Sequence, residues 1–282
     1  MRIKITADST CDLPLELRER YDVTLAPLAV VVNEDVHYDG VDISQQEIFA
    51  AVEAGKVVKT AARNAYEYGK IFEGVLKDCD AVIHISLSKN LSASYSSACL
   101  AAEDFDNVYV VDSANLTVGS SILILEAVEL AEKGLEPALI AAKLKNSAKC
   151  IDTSFLLEQV DYLFRGGRCS GVEAVGAKML HIRPSIEVTG GEMGVGKKYR
   201  GRFERCLEKY VADKLEDKDK IDFRRAFVVQ AGCPAEWTQQ VHQQLLDAGF
   251  AEVIDAEAGC TISAHCGPHT LGVAFKRTEA KA

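Results

Sequence analysis

The sequence predicts an α/β protein of two α/β domains, the first spanning residues 1–150 and the second residues 151–282. Three observations lead to this prediction. The chain of 282 residues is long for one compact domain and sufficient for two. In the first half, short apolar strands alternate with helices, which is typical of a parallel sheet covered by helices on both faces. After Cys150 the alternation gives way to hairpins mixed with helices, which indicates a second domain with a mixed sheet.

In the first half, four apolar segments predict strands and six segments predict helices. A proline opens the first helix in its first turn, where the missing N–H costs nothing. The segment SQQE at 44–47 is a capping box that starts the second helix. The predicted strands are 2–8, 23–32, 81–88 and 107–113, and the predicted helices are 14–21, one from 44, 65–77, 94–103, 118–133 and one from 136.

In the second half, the predicted order is a strand, a turn, a hairpin and then two helices interleaved with strands. Gly166-Gly167 predicts the turn, because glycine adopts backbone angles closed to other residues. Gly190-Gly191 predicts the bend of the hairpin. The strands are predicted at 150–158, 182–188, 226–232, 251–257 and 271–276, and the helices at 202–216 and 235–248.

Composition and charge narrow the functional class. The chain is 48% hydrophobic and 26% charged, as ordinary globular proteins are. Its formal net charge of −10 argues against a protein that binds nucleic acid or anionic membranes. The apolar run at 25–32 is too short to span a bilayer, so no stable membrane insertion is expected. The nine cysteines include no C-x-x-C pair, which predicts reduced thiols in a cytoplasmic protein and no zinc site.

Polar turns follow three of the predicted strands, and a fourth polar segment precedes a predicted helix. Ligands of parallel sheets bind at the carboxyl ends of strands, and hydroxyls and N–H groups at helix N-termini favour anions. Together the four segments therefore predict the mouth of a site for a carboxylate or phosphate, although helix capping alone would explain any one of them. They are DSTCD at 8–12, KTAARN at 59–64, SKNLSASY at 88–95 and DSANLT at 112–117.

Two basic segments are further candidates. In LFRGGRCSG, Arg168 follows a double glycine and could bind a carboxylate through paired N–H donors, although a surface turn with solvated arginines explains the segment equally well. GKKYRGRFER places basic residues where a helix begins and acidic residues where it ends, which is opposite to the preference of the helix dipole. We interpret Arg200, Arg202 and Arg205 as a docking surface for an acidic partner, with a solvated charged hairpin as the alternative.

The segment TISAHCGPHTLGV, near the C-terminus, admits several interpretations. A metal site is disfavoured, because Gly267-Pro268 prevents the regular helix that would place His265 and His269 on one face. A Ser-His-Asp hydrolase could combine His265 with Ser92 and Asp8, but no G-x-S-x-G segment exposes a nucleophile. There remain a histidine that binds an anion at a Gly-Pro turn and, as the plain alternative, a packed structural histidine.

Five separated motifs resemble the DegV family of bacterial fatty-acid-binding proteins over nearly the whole chain. The resemblance implies two α/β domains with one long-chain fatty acid in the cleft between them, no other cofactor, and no chemistry of the chain's own. It also implies that a partner fatty acid kinase phosphorylates the bound carboxylate with ATP. The motifs are ADSTCDLP, ISLSKNLSASYSSA, VDYLFRGGRCS, LHIRPSIEV and HCGPHTLGV.

Carried over position by position, the resemblance implies that Thr60 and Ser92 bind the fatty-acid carboxylate, with Arg168 and His265 close by. A hydrolase or other small-molecule enzyme that uses Ser92 and His265 at the same mouth is the alternative. Three segments depart from the family pattern. They are Thr60-Ala61-Ala62-Arg63 for Thr-Ser-Gln-Pro, His181-Ile182-Arg183-Pro184 for Asn-Ile-Lys-Pro, and Gly267-Pro268-His269 for Gly-Pro-Gly.

Overall fold

The computed structural model describes residues 1–171 and 182–280, and within them the predicted α/β class is confirmed. The helices are α1 Leu15–Arg20, α2 Gln45–Glu53, α3 Ala65–Val75, α4 Ser94–Ala102, α5 Val118–Glu132, α6 Pro137–Ser147, α7 Asp161–Gly166, α8 Phe203–Lys214, α9 Ala235–Ala248 and α10 Cys260–Cys266. The strands are β1 Ile3–Asp8, β2 Thr24–Ala26, β3 Ala29–Val32, β4 Asp35–Tyr38, β5 Val58–Ala61, β6 Ala81–Ser86, β7 Val108–Asp112, β8 Ile151–Leu157, β9 Cys169–Ser170, β10 Ile182–Thr189, β11 Glu192–Arg200, β12 Ile221–Ala231, β13 Val253–Glu257 and β14 Thr270–Arg277.

The first sheet has four strands in the order β2-β1-β6-β7, and every pairing is parallel. All six residues of β6 are buried, as expected for a strand covered on both faces. Because the strands are parallel, the turns that follow β1, β6 and β7 meet at one edge of the sheet. That edge carries three of the four polar segments predicted to border a site.

The second sheet has seven strands in the order β13-β12-β14-β8-β10-β11-β9. The central pairings are antiparallel, and β12–β13 and β11–β9 are parallel, so the sheet is mixed as predicted. The hairpin predicted around Gly190-Gly191 is β10–β11. The last three predicted strands are β12, β13 and β14. Strand β12 begins before its predicted start, β13 begins after its predicted start, and β14 extends beyond both predicted ends.

Helix α5 joins the two sheets. Ten of its fifteen residues are buried, since it packs against β1 and β6 of the parallel sheet and against β8, β12 and β14 of the mixed sheet. The largest apolar cluster accordingly contains side chains from both halves, such as Ile85, Leu123 and Phe155. A division at residue 150 therefore separates the two sheets but cuts through a shared core, and the two-domain boundary stays a prediction.

Two local predictions of the first half need correction. The segment 23–32 is not one strand, because Pro27, which has no N–H for a sheet ladder, separates β2 from β3. Strand β2 joins the parallel sheet, whereas β3 forms a small antiparallel sheet of order β4-β3-β5 that the sequence analysis did not predict. The first helix begins at Leu15, with Pro14 as its N-cap rather than its first helical residue.

The capping box of α2 is confirmed. The Ser44 side chain accepts from the Glu47 N–H at 3.3 Å, and the Glu47 carboxylate accepts from the Ser44 N–H at 2.8 Å. A second capping box, formed by Asn64 and Glu67, starts α3. These reciprocal bonds satisfy N–H groups that the first turn of a helix leaves free. Asn64 therefore fixes where the polar segment 59–64 ends, with β5 on one side and α3 on the other.

Helices α7 and α10 were not predicted, because each is shorter than two turns and lacks a clear apolar period. Gly166, predicted as half of a turn, is the last residue of α7, and Gly167 ends that helix in the left-handed region at φ +63°. Helix α10 ends at Cys266, before Gly267-Pro268, so His265 lies in its last turn rather than in a loop.

Candidate functional site

A cavity lies between the carboxyl edge of the parallel sheet and one face of the mixed sheet. It encloses about 850 Å³ of space, its open mouth included. Each of the four predicted polar segments contributes to its wall, through Thr10, Thr60, Ser92 and Thr117 among others. Helices α7 and α10 form the remaining side through Leu163 and Ile262.

The floor of the cavity is apolar and belongs to the mixed sheet. Val229 of β12, Gly272 of β14 and Phe155 of β8 are cross-strand neighbours in one row. The strands pack closely at Gly272, because a Cβ there would approach the Ser154 carbonyl oxygen to 2.7 Å and the Phe155 Cβ to 2.8 Å. The floor suits hydrocarbon, because burying apolar surface is favourable and no polar group of this row needs a partner.

The structure brings Thr60, Ser92, Arg168 and His265 to the wall of this same cavity. The Thr60 hydroxyl and His265 Nε2 are hydrogen-bonded at 2.8 Å. Thr60 and Ser92 are half-buried and Arg168 is exposed, which places these three at the open end. Two hydroxyls, an imidazole and a guanidinium thus lie around an opening that leads to an apolar floor.

His265 is uncharged at neutral pH. Burial, and to a smaller extent the charge of Arg168, lowers its pKa from 6.5 to about 4. Its other ring nitrogen, Nδ1, is buried without a hydrogen-bond partner among the described residues and lies against Gly166, where any side chain would overlap the ring. In the tautomer with the proton on Nε2, His265 donates to Thr60, and the Thr60 hydroxyl hydrogen is free to donate to an anion in the cavity.

Residues from the first 45 positions of the chain fix the helix that carries His265. The Gly259 N–H donates to Asp12 at 2.9 Å, and the Cys260 N–H donates to Asp39 at 2.7 Å. Both carboxyls are buried, and burial raises the pKa of Asp12 well above its usual value. Gln45 adds a bond from its amide to the Ala258 carbonyl at 2.8 Å. The position of His265 therefore depends on contacts between distant parts of the sequence.

A buried network around Asp8 fixes the turn that carries Ser92. Burial opposes ionisation of Asp8, but His84, Tyr68 and the Leu87 N–H act more strongly together and lower its pKa. The Leu87 N–H donates to Asp8 at 2.8 Å, where β6 passes into the turn. Beyond it, Ser92 Oγ lies 3.0 Å from the Ser94 hydroxyl. Asp8 thus has a structural role at the end of β1, although its side chain does not cap the short helical turn that follows.

These contacts do not form a hydrolytic triad. Asp8 interacts with His84 and Tyr68, and His265 interacts with Thr60. In the described residues, no hydrogen bond joins Ser92 to His265 or His265 to Asp8. The Ser92–His265–Asp8 arrangement considered from the sequence is therefore not assembled in this structure.

His269, which replaces a glycine of the family pattern, adopts the left-handed backbone at φ +56°. Its Nδ1 bonds to Glu158 at 2.5 Å, whereas Nε2 of His265 bonds to Thr60, and no metal-ligand cluster is formed among the described residues. Arg183, in a second departing segment, also reaches Glu158, at 3.2 Å. His269 and Arg183, which both differ from the family pattern, therefore contact the Glu158 carboxylate. The contact with Glu158 offsets the unfavourable backbone angle of His269. His181 lies outside the described residues, and Ala61 borders the cavity mouth.

The basic residues Arg200, Arg202 and Arg205 are exposed and do not line the cavity. Within the described residues none of the three forms an ion pair closer than 4.0 Å. The predicted charge reversal along the helix is only partly correct. Helix α8 has Glu204 in its first turn and ends at Lys214, so most of the acidic segment lies beyond it.

Comparison with known proteins decides the family. The model of the DegV family, described as uncharacterised proteins, matches residues 2–278. The chain belongs to the DegV family. A DegV domain-containing protein of Clostridium perfringens is 31% identical, covering 97% of this chain and 98% of that protein. A Thermotoga maritima relative named fatty acid-binding protein is 29% identical over the full length of both.

A solved structure described as the fatty acid binding of a DegV family protein from Thermus thermophilus has a TM-score of 0.88 to this chain. It is 29% identical and covers 98% of this chain and 100% of its own. This similarity confirms the α/β arrangement of a parallel and a mixed sheet. No helix in the part of the DegV chain described here has the length and apolar character needed to cross a membrane.

Sequence reasoning missed four threonines that also line the cavity. Thr10 and Thr117 lie inside segments that the sequence analysis singled out, but as members of a polar turn rather than as named ligands. Thr261 and Thr270 lie in the segment of His265 and His269, in which only the histidines were predicted as candidate ligands. A threonine in a turn carries no sequence signal that separates a cap from a cavity wall.

Proposed function

We propose that this DegV protein binds one long-chain fatty acid in the cavity between its two sheets and acts as a carrier, not as an enzyme. The observation that carries the proposal is the pairing of an apolar floor with Thr60, Ser92, Arg168 and His265 at the mouth. Hydroxyls and a guanidinium stabilise a carboxylate through charge-assisted hydrogen bonds. The floor would hold the acyl tail, and each buried CH₂ contributes about 0.8 kcal/mol.

The named function of the relatives supports the same ligand class. One is called a fatty acid-binding protein, and the solved Thermus structure concerns fatty acid binding. The described cysteines form no disulfide, which supports action in the cytoplasm, where thiols stay reduced.

Lipid analysis of the purified protein tests this proposal. Protein purified from cells should carry about one long-chain fatty acid per chain, because burial of the acyl tail makes release slow. Mass spectrometry of a solvent extract measures the ligand, with the same amount of an unrelated purified protein as control. Protein that is free of lipid and remains so after incubation with palmitate or oleate would contradict the carrier function.

We further propose that a fatty acid kinase docks on the surface formed by Arg200, Arg202 and Arg205 and phosphorylates the bound carboxylate. These side chains are exposed and carry positive charge on a protein of net charge −10, so they would orient an acidic partner. They lie outside the cavity wall, which separates partner binding from lipid binding.

Reversal of these three arginines to glutamate should leave fatty-acid affinity within about twofold but lower the rate of acyl phosphate formation by an added kinase about tenfold or more. The wild-type rate should also fall with salt, since exposed charges are screened. Arg18→Glu with Arg20→Glu, on the exposed face of α1, is the matched control and should change neither property. Equal loss of lipid binding and phosphorylation would assign the three arginines to the fold instead.

A further inference from the structure

The Thr261 hydroxyl is an unusual feature of the cavity wall. Thr261 lines the cavity and is only 4% exposed, and its Oγ1 has no hydrogen-bond partner among the described residues. A buried hydroxyl without a partner is costly, so such groups are rare in folded proteins. Threonine hydroxyls inside a helix can donate to the carbonyl one turn earlier. Thr261 lies in the first turn of α10, so no carbonyl of that helix precedes it by one turn.

The other threonines with assigned contacts in this wall each have a hydrogen-bond partner in the protein. Thr117 donates to Asp12, and Thr270 donates to the Cys266 carbonyl at 3.0 Å. Thr60 is bonded to His265. Thr261 is therefore distinguished from these three threonines by its missing partner, and it borders the cavity proposed to hold the ligand.

The place of Thr261 along the cavity follows from helix geometry. It precedes His265 by four residues, so both lie on the same face of α10, about 6 Å apart along the axis. Thr60 and Ser92 at the mouth are partly exposed, whereas Thr261 is buried, as is Thr10, which lines the same cavity. If the carboxylate binds at His265, the Thr261 hydroxyl faces carbons of the acyl chain that follow it.

We propose that Thr261 forms a second polar site in the cavity, which binds an oxygen substituent near the carboxyl end of the acyl chain. The preferred ligands are then hydroxy fatty acids with the hydroxyl a few carbons from the carboxylate. This inference rests on the proposed fatty-acid function and adds the substrate class. An unsubstituted chain offers the Thr261 hydroxyl no hydrogen-bond partner, whereas a hydroxyl on the ligand supplies one.

Isosteric replacement Thr261→Val tests the inference with palmitate, β-hydroxypalmitate and ω-hydroxypalmitate as ligands. The wild type should bind β-hydroxypalmitate more tightly than palmitate, and the variant should shift this affinity ratio about tenfold towards palmitate. The ratio of ω-hydroxypalmitate to palmitate should not change, because that hydroxyl is at the other end of the chain. Thr238→Val, on α9 and outside the cavity wall, is the matched control.

An unchanged β-hydroxypalmitate ratio in Thr261→Val, with palmitate still bound, would overturn the inference and leave the carrier function intact. If neither protein binds palmitate, the proposed function fails and this inference fails with it. Thr261→Ser keeps the hydroxyl and should keep the wild-type ratio. It therefore provides a second test if the valine variant does not fold.

Discussion

The ligand-free protein should lose roughly 3 kcal/mol of unfolding free energy through His265 as the pH falls from 6.5 to 4. Burial holds the pKa of His265 at about 4 in the folded state, below its ordinary 6.5. Between these values the unfolded chain binds a proton that the folded protein does not, so lower pH favours unfolding. Above pH 6.5 both states are neutral at this residue, and its contribution to stability is complete.

Denaturant unfolding at pH 7 and pH 4.5 measures this loss. His265→Gln keeps a hydrogen-bonding group for Thr60 but cannot be protonated, so its stability should depend less on pH than that of the wild type. His242→Gln is the matched control, since His242 is a partly exposed histidine on α9. Identical pH dependence in the wild type and His265→Gln would show that His265 is not held neutral.

A bound fatty acid should reduce the loss of unfolding free energy at acidic pH. A carboxylate beside the imidazole favours the charged ring and raises its pKa. At pH 5.5 saturating palmitate should therefore stabilise the wild type more than it stabilises His265→Gln, beyond the ordinary stabilisation by any ligand. Equal stabilisation of the two proteins would place the carboxylate away from His265.

Removal of one hydroxyl at the mouth should weaken fatty-acid binding by about 10- to 100-fold. In the proposed complex Ser92 donates one hydrogen bond to the ionised carboxylate, and Ser92→Ala would remove this contribution of about 1.5–3 kcal/mol. Affinity for the uncharged methyl ester should change much less, because the tail supplies most of that binding. Isothermal titration with palmitate and methyl palmitate gives both constants for each protein.

Ser96→Ala is the matched control for this experiment. Ser96 lies on α4, just after the turn that carries Ser92, is exposed and donates to the Ala93 carbonyl rather than to the cavity. A hydrolase gives a different pattern, since its Ser92→Ala variant would keep ester binding and lose turnover by several orders of magnitude. Ester cleavage by the wild type that disappears in both Ser92→Ala and His265→Ala would contradict the carrier function and indicate an enzyme.

The sequence predicted what local patterns determine. The capping box at Ser44 and the helix 235–248 were placed from the order of residues alone, because helix starts and apolar periods are local properties. The buried run at 81–88 predicted β6 for the same reason. The likeness of five motifs also identified the DegV family and thereby four residues that line one cavity.

The tertiary structure decided which polar groups have a hydrogen-bond partner within the protein. Pro27 divides one apolar run between two sheets, and the sequence does not say which sheet receives β3. The turns around Asp8 and Ser88 looked alike as polar segments, yet Asp8 anchors Leu87, and Ser88 donates to the Gly191 carbonyl across the molecule. Only Ser92 of the second turn keeps a hydroxyl at the cavity wall. Partners more than 70 residues apart cannot be inferred from spacing, because chain folding alone sets which donors meet which acceptors.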